Sequence, residues 1–186
     1  ILHSGVFRLT LDDSSEDSLM GTQFELIETA TEKVSVQYQF DGGSERVRIG
    51  LIALSTNATI ERDFRNMLPD EVIFHTSRVK AEGPVTIENY RAMGPLLAEA
   101  VRQILPGMRL DTIAYSCTSG TVALGYDEIA AQIREGRPDV PVVTPLTSAI
   151  VAMEKLGIEK VSLLTPYMDS VNQAMREFVE AQGITV

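Results

Sequence analysis

The residues best placed to do chemistry lie in one stretch, Tyr115-Ser116-Cys117-Thr118-Ser119-Gly120-Thr121, which holds the only cysteine among 186 residues. An apolar run from Leu110 to Tyr115 leads into it, and a Gly- and Thr-bearing segment with helical character leads out. The thiol is therefore expected at a strand-to-helix junction. A free thiol of pKa about 8.5 is mostly protonated at neutral pH, but the unpaired N–H groups and partial positive charge of a helix start favour the thiolate. A thiolate there can remove a proton from carbon beside a carboxylate, or add to an activated double bond. The plainer alternative is a buried cysteine packed as a small hydrophobe.

The neighbours extend this chemistry. Consecutive N–H groups at Thr118, Ser119, Gly120 and Thr121 would form a concave anion site, and the hydroxyls add donors. Such a turn suits a carboxylate and an enediolate developing on it. Ser119 or Thr121 could equally serve as an ordinary N-cap, and the two roles are compatible. Asn57, in Ser55-Thr56-Asn57, follows an apolar run and is placed to donate to a carboxylate from a neighbouring strand end; the alternative is an Asx-turn residue. Tyr167, in Thr165-Pro166-Tyr167, could bring its O–H into the same crevice, or be a packed aromatic with a wet tip. His75 lies inside a strand-like run and His3 in the first residues, so neither is an obvious partner for a Cys/His dyad. No group has metal-ligand spacing, so no metal is inferred. Neither G-x-G-x-x-G nor G-x-x-x-x-G-K-[ST] occurs, which argues against dinucleotide and P-loop sites.

The elements that must position these residues follow a strand–helix rhythm from Val47 onward. Strands are expected over Val47–Leu54, Val72–Thr76, Leu110–Tyr115, Val140–Thr144 and Val161–Thr165, with a sixth starting at Ile184. Helices are expected over Ala58–Met67, Thr86–Leu105, Thr121–Leu124 with Asp127–Arg134, Ser148–Leu156 and Asp169–Ala181. In the longest of these, Ile87, Tyr90, Met93, Leu97, Val101 and Ile104 recur on one face. Near-continuous apolar strands alternating with helices mean an α/β fold with a parallel, Rossmann-like sheet covered on both faces. Ligands in such sheets bind at the carboxyl ends of the strands, and those ends here share short hydroxyl-rich turns.

Residues 1–46 read differently. Asp12-Asp13-Ser14-Ser15-Glu16-Asp17-Ser18 is a polar acidic loop, flanked by runs of period two such as Val34, Val36, Tyr38 and Phe40. They read as an N-terminal β arm, structural or used in oligomer contact. The division expected is 1–46 as this extension, 47–157 as a first α/β domain and 158–186 as the start of a second. The first residue is Ile rather than Met, so the true start is expected to lie upstream; the last residues begin a strand, which is expected to be either a short edge strand or a sign that the chain is the front part of a longer protein.

The formal net charge is −10. An acidic chain without a Lys/Arg cluster argues against nucleic acid and anionic membrane as partners, though not against small anions at one local site. No run of about 18 apolar residues occurs, so no transmembrane helix is expected. The start has no basic n-region and does not read as a signal peptide. A single cysteine excludes an internal disulfide and fits a reducing cytoplasm.

Three stretches together carry a family resemblance: Arg48-Ile49-Gly50-Leu51-Ile52 through Asn57, then Ala114 through Thr121, then Leu164-Thr165-Pro166-Tyr167. From Val47 to Val186 the chain resembles the aspartate/glutamate racemase superfamily, in the branch of maleate cis–trans isomerase and arylmalonate decarboxylase. With Glu61-Arg62-Asp63-Phe64 and Pro84-Val85-Thr86 added, it looks most like that branch's ectoine-utilisation proteins. The resemblance implies a cofactor-independent enzyme of paired α/β domains acting on a small carboxylic acid, and a homo-oligomer. It implies Cys117 as the first of two catalytic cysteines, and Asn57, Thr118, Ser119 and Tyr167 as substrate contacts. The second cysteine has no counterpart among these residues. The rival reading is a non-catalytic small-carboxylate binding or regulatory protein on the same fold.

Overall fold

A computed structural model describes residues 47–83 and 86–186. The expected β arm over 1–46 lies outside the described residues. Four parallel strands form the sheet: β1 (Val47–Leu54), β2 (Val72–Val79), β3 (Thr112–Tyr115) and β4 (Val142–Val143), in the spatial order β2-β1-β3-β4. β1 is central, pairing Leu51 with Thr76 on one side and with Ala114 on the other. Leu51, Ile52 and Ala53 are accordingly fully buried, as expected of a strand covered on both faces.

The helices are α1 (Ile60–Met67), α2 (Ile87–Met93), α3 (Leu96–Arg102), α4 (Thr118–Leu124), α5 (Tyr126–Gly136), α6 (Pro145–Leu156) and α7 (Asp169–Glu180). The α/β class with a parallel sheet is thus found as expected. One cluster of buried side chains unites Ile52, Ile113, Tyr90, Leu97, Val101, Ile129 and Ile133. A second joins Leu146, Ile150, Met175, Val179 and Ile184.

Local chemistry explains most boundaries. Thr86 Oγ1 accepts from Asn89 N–H and starts α2. The single helix expected over Thr86–Leu105 is two helices instead. Pro95 lacks an N–H and its ring crowds the preceding turn, so α2 ends at Met93 and α3 begins at Leu96. Its apolar face is nevertheless continuous, with Tyr90, Met93, Leu97 and Val101 all buried. Gly125, at φ +86°, separates α4 from α5 where a break was expected. Helix α6 starts three residues before the expected Ser148, because Thr144 and Thr147 form a reciprocal capping box with Pro145 inside it.

The fifth and sixth strands are corrections. Val161–Thr165 and Ile184–Val186 form no strands; one parallel bridge joins Lys160, just before the first run, to Thr185 in the second. A strand exists only with a partner, and apolar runs of β-branched residues do not supply one.

Candidate active site

Register in the sheet places the chemistry. Ile52 pairs with Tyr115, so β1 and β3 end side by side. Ser116 fastens that edge, its N–H and Oγ both donating to Ile52 O at 2.9 and 3.0 Å. Asn57 and Cys117 follow those two strand ends on the same carboxyl edge of the sheet.

Cys117 is the N-cap of α4, a role the sequence reading gave to Ser119 or Thr121. Its Sγ accepts from Gly120 N–H at 3.2 Å, where a serine or aspartate oxygen usually sits. The Cys117 carbonyl accepts from Thr121 N–H at 3.1 Å and from Thr121 Oγ1 at 2.7 Å. Ser119 Oγ lies 3.8 Å from the sulfur. Gly120 is required by crowding: a Cβ there would meet Tyr115 Oη at 2.5 Å and Cys117 Sγ at 2.9 Å.

The thiol is 4% exposed. Burial pushes its pKa up from the ordinary value, and Gly120 N–H, Ser119 and the nearby Tyr115 hydroxyl pull it back only in part. The expectation that the helix start would favour the thiolate is therefore outweighed in this closed arrangement, because desolvation opposes the charged form more than these donors stabilise it. Two open recesses of about 590 and 570 Å³ are lined by other residues, from α1, β2 and the end of α3 in one case and from 160–163, α7 and Val186 in the other.

Ser119 is buried against the thiol, and Thr118 is half-buried at the first position of α4. The first N–H groups of a helix have no intrahelical acceptor. Asn57 Oδ1 accepts from Thr59 N–H and Ile60 N–H, both at 3.1 Å, so its carbonyl end starts α1 and its amide NH₂ is the end left to donate. Arg78 steadies that turn: its guanidinium donates to Leu54 O at 2.9 Å and Asn57 O at 2.8 Å and pairs with Glu61 at 2.5 Å. Tyr167 is half-buried beside the second core cluster, with its N–H on Thr165 Oγ1 and its carbonyl on Asn172 Nδ2.

Two residues were missed as site members. Tyr90 of α2 bears on Ser119, Cys117 and Tyr167, and burial raises its pKa. Its helical spacing marked it only as core. Tyr115 Oη stands near the sulfur over Gly120, and nothing in a strand-terminal tyrosine distinguishes that from packing. Among the described residues no group of His, Cys, Asp and Glu has the arrangement of a metal site. Among them also, no helix is long and apolar enough to cross a membrane.

No family model matches the chain. It is 29% identical to the maleate isomerase of Alcaligenes faecalis, covering 75% of this chain and 60% of that protein. A mutant of Nocardia farcinica maleate cis–trans isomerase with a covalently bound succinylcysteine intermediate superposes with a TM-score of 0.63 at 24% identity, covering 75% of this chain and 61% of that one. Arylmalonate decarboxylase superposes with a TM-score of 0.51 at 24% identity, covering 74% and 59%. The fold is thus the α/β fold of maleate isomerases and racemase-like proteins. The chain spans about 60% of the length of the curated relatives it matches.

Proposed function

We propose that this chain carries the nucleophile of a cofactor-independent isomerase of maleate type, acting on a small unsaturated dicarboxylate. The observation that carries the reading is the placement of Cys117 Sγ at the β3–α4 junction, with Gly120 N–H at 3.2 Å and Ser119 Oγ at 3.8 Å. The maleate isomerase relatives and the succinylcysteine found in one structural neighbour support it.

The chemistry balances with one thiol. The Cys117 thiolate adds to one olefinic carbon of maleate and forms a C–S bond. The π electrons move to the other carbon and its carboxylate, as an enediolate. Thr118, Ser119, Asn57 and Tyr167 are the donors proposed to hold the carboxylates. Rotation about what is now a single bond, then expulsion of the thiolate, yields the trans product with no net proton gained. Donors fixed where charge develops lower such a barrier most. More narrowly, the Tyr115–Thr121 and Glu61–Phe64 motifs favour a role in ectoine utilisation. A cytoplasmic homo-oligomer with no nucleic-acid or membrane partner completes the reading.

Burial of the thiol favours a second reading, a small-carboxylate binding protein in which Cys117 is packing. Incubating the chain with maleate and following fumarate by proton NMR separates the two. An enzyme converts maleate, and Cys117→Ser lowers turnover by about 10⁴-fold or more while binding persists, as expected when a nucleophile is removed. A folded chain that binds maleate equally with and without the thiol, and converts it in neither form, overturns the isomerase.

A further inference from the structure

Tyr115 ends β3 with 0% of its surface exposed. Its hydroxyl has no hydrogen-bond partner. A hydroxyl withdrawn from water and left unbonded is destabilising, and phenylalanine would fill the same space without that penalty. The position of the oxygen supplies a reason for it. Tyr115 Oη and Cys117 Sγ flank one point above the Gly120 Cα, 2.5 Å and 2.9 Å from where a Cβ would stand. Oxygen and sulfur therefore lie no further apart than the sum of those two distances. A protonated thiol is a weak acceptor, whereas a thiolate is a strong one.

We infer that Tyr115 is a positioning residue for Cys117: its buried O–H is the donor held for the thiolate, unpaired while the sulfur is protonated and satisfied when it ionises. This rests on the proposed function only in taking the thiolate as the working form. The sulfur then accepts from Gly120 N–H, Ser119 O–H and Tyr115 O–H, contributed by both elements that meet at the junction. Tyr90 on α2, with Tyr167 beyond it, also faces this group. The titration of the pair points the same way. Burial raises the Tyr115 pKa most, the charge of Cys117 and the closeness of its sulfur raise it further, and the nearby phenol lowers the pKa of Cys117. The phenol thus keeps its proton, and its presence opposes the burial that raises the thiol.

The test uses the full chain, titrating thiolate ultraviolet absorbance in wild type and Tyr115→Phe, with Cys117→Ser as the blank. Absorbance needs no access to the buried sulfur. The expected result is a thiolate titration about one pH unit higher in Tyr115→Phe, which is about tenfold less thiolate at a given pH below both midpoints. Thermal stability at neutral pH should be unchanged or higher, since a buried unbonded hydroxyl has been removed. An unchanged titration overturns the inference. Should the Phe variant fail to fold, 3-fluorotyrosine placed at 115 decides: a more acidic phenol is a stronger donor, so the thiolate titration must move down, and no movement overturns it. Maleate turnover on the same wild-type sample keeps the two readings apart. A shifted titration without turnover sinks the isomerase and leaves the Tyr115 role standing.

Discussion

At the scale of residues, the site is an acid–base problem set by burial. Cys117 was legible as a candidate because one cysteine stands at the end of an apolar run before small hydroxyl residues. The sign of its titration was not legible, since desolvation depends on what packs over it: Tyr115 of β3 and Tyr90 of α2, both within the same buried cluster. Those two phenols were invisible as site members for the same reason, because tertiary packing rather than spacing brings them to the sulfur. The raised pKa values of Cys117 and Tyr115 make a prediction about stability. Each group holds its proton to higher pH when folded than when unfolded, so the folded state binds more protons across that window. Linkage then makes stability complete below the unfolded thiol pKa of about 8.5 and progressively lost as pH rises above it. Urea midpoints should fall between about pH 8 and pH 10, and fall less in Cys117→Ser, whose hydroxyl does not titrate there. Equal slopes in the two proteins would show that the thiol ionises as freely folded as unfolded.

At the scale of elements, periodicity found what one element decides alone and failed where two must agree. The four strands of the sheet, the Thr86 cap, the Gly125 break and the left-handed Gly157 closing α6 all depend on local residues, and all are present. Residues 161–165 have the composition of a strand but pair only through Lys160, a fact about partners rather than about composition. The Gly94-Pro95 break was readable in principle, yet the unbroken apolar face masked it, because both half-helices bury the same stripe. Close helix packing was equally hidden. A Cβ at Gly136 of α5 would stand 2.4 Å from the Ala98 carbonyl oxygen of α3 and 2.4 Å from Val101 Cγ1. Alanine in a helix gains up to about 1 kcal/mol in propensity over glycine, but the overlap here is with backbone, which cannot rotate away. Gly136→Ala should therefore destabilise by about 1–3 kcal/mol, read from the urea midpoint, despite the propensity gain. A stabilised variant would mean that α3 and α5 separate freely.

At the scale of the whole molecule, the charge of the chain opposes the substrate proposed for it. The formal net charge is −10, and maleate is a dianion at neutral pH. The side chains that bear on Cys117, Tyr90, Tyr115 and Ser119, carry no formal charge at neutral pH, so attraction must come from oriented N–H and O–H dipoles, which act only at short range. Beyond that range the summed field repels. Ionic strength separates the two contributions, because the Debye length shrinks from about 30 Å at 0.01 M to about 8 Å at 0.15 M salt, while contacts inside a desolvated site are screened far less. Added neutral salt should therefore raise kcat/KM for maleate, which includes approach from solution, and move kcat much less, since kcat reads the bound complex. The measurement is an initial-rate series in sodium chloride at fixed pH, with fumarate formation as the signal. A kcat/KM that falls as salt rises would mean that attraction rather than repulsion governs approach, and would place positive potential at the mouth of the site in spite of the overall charge.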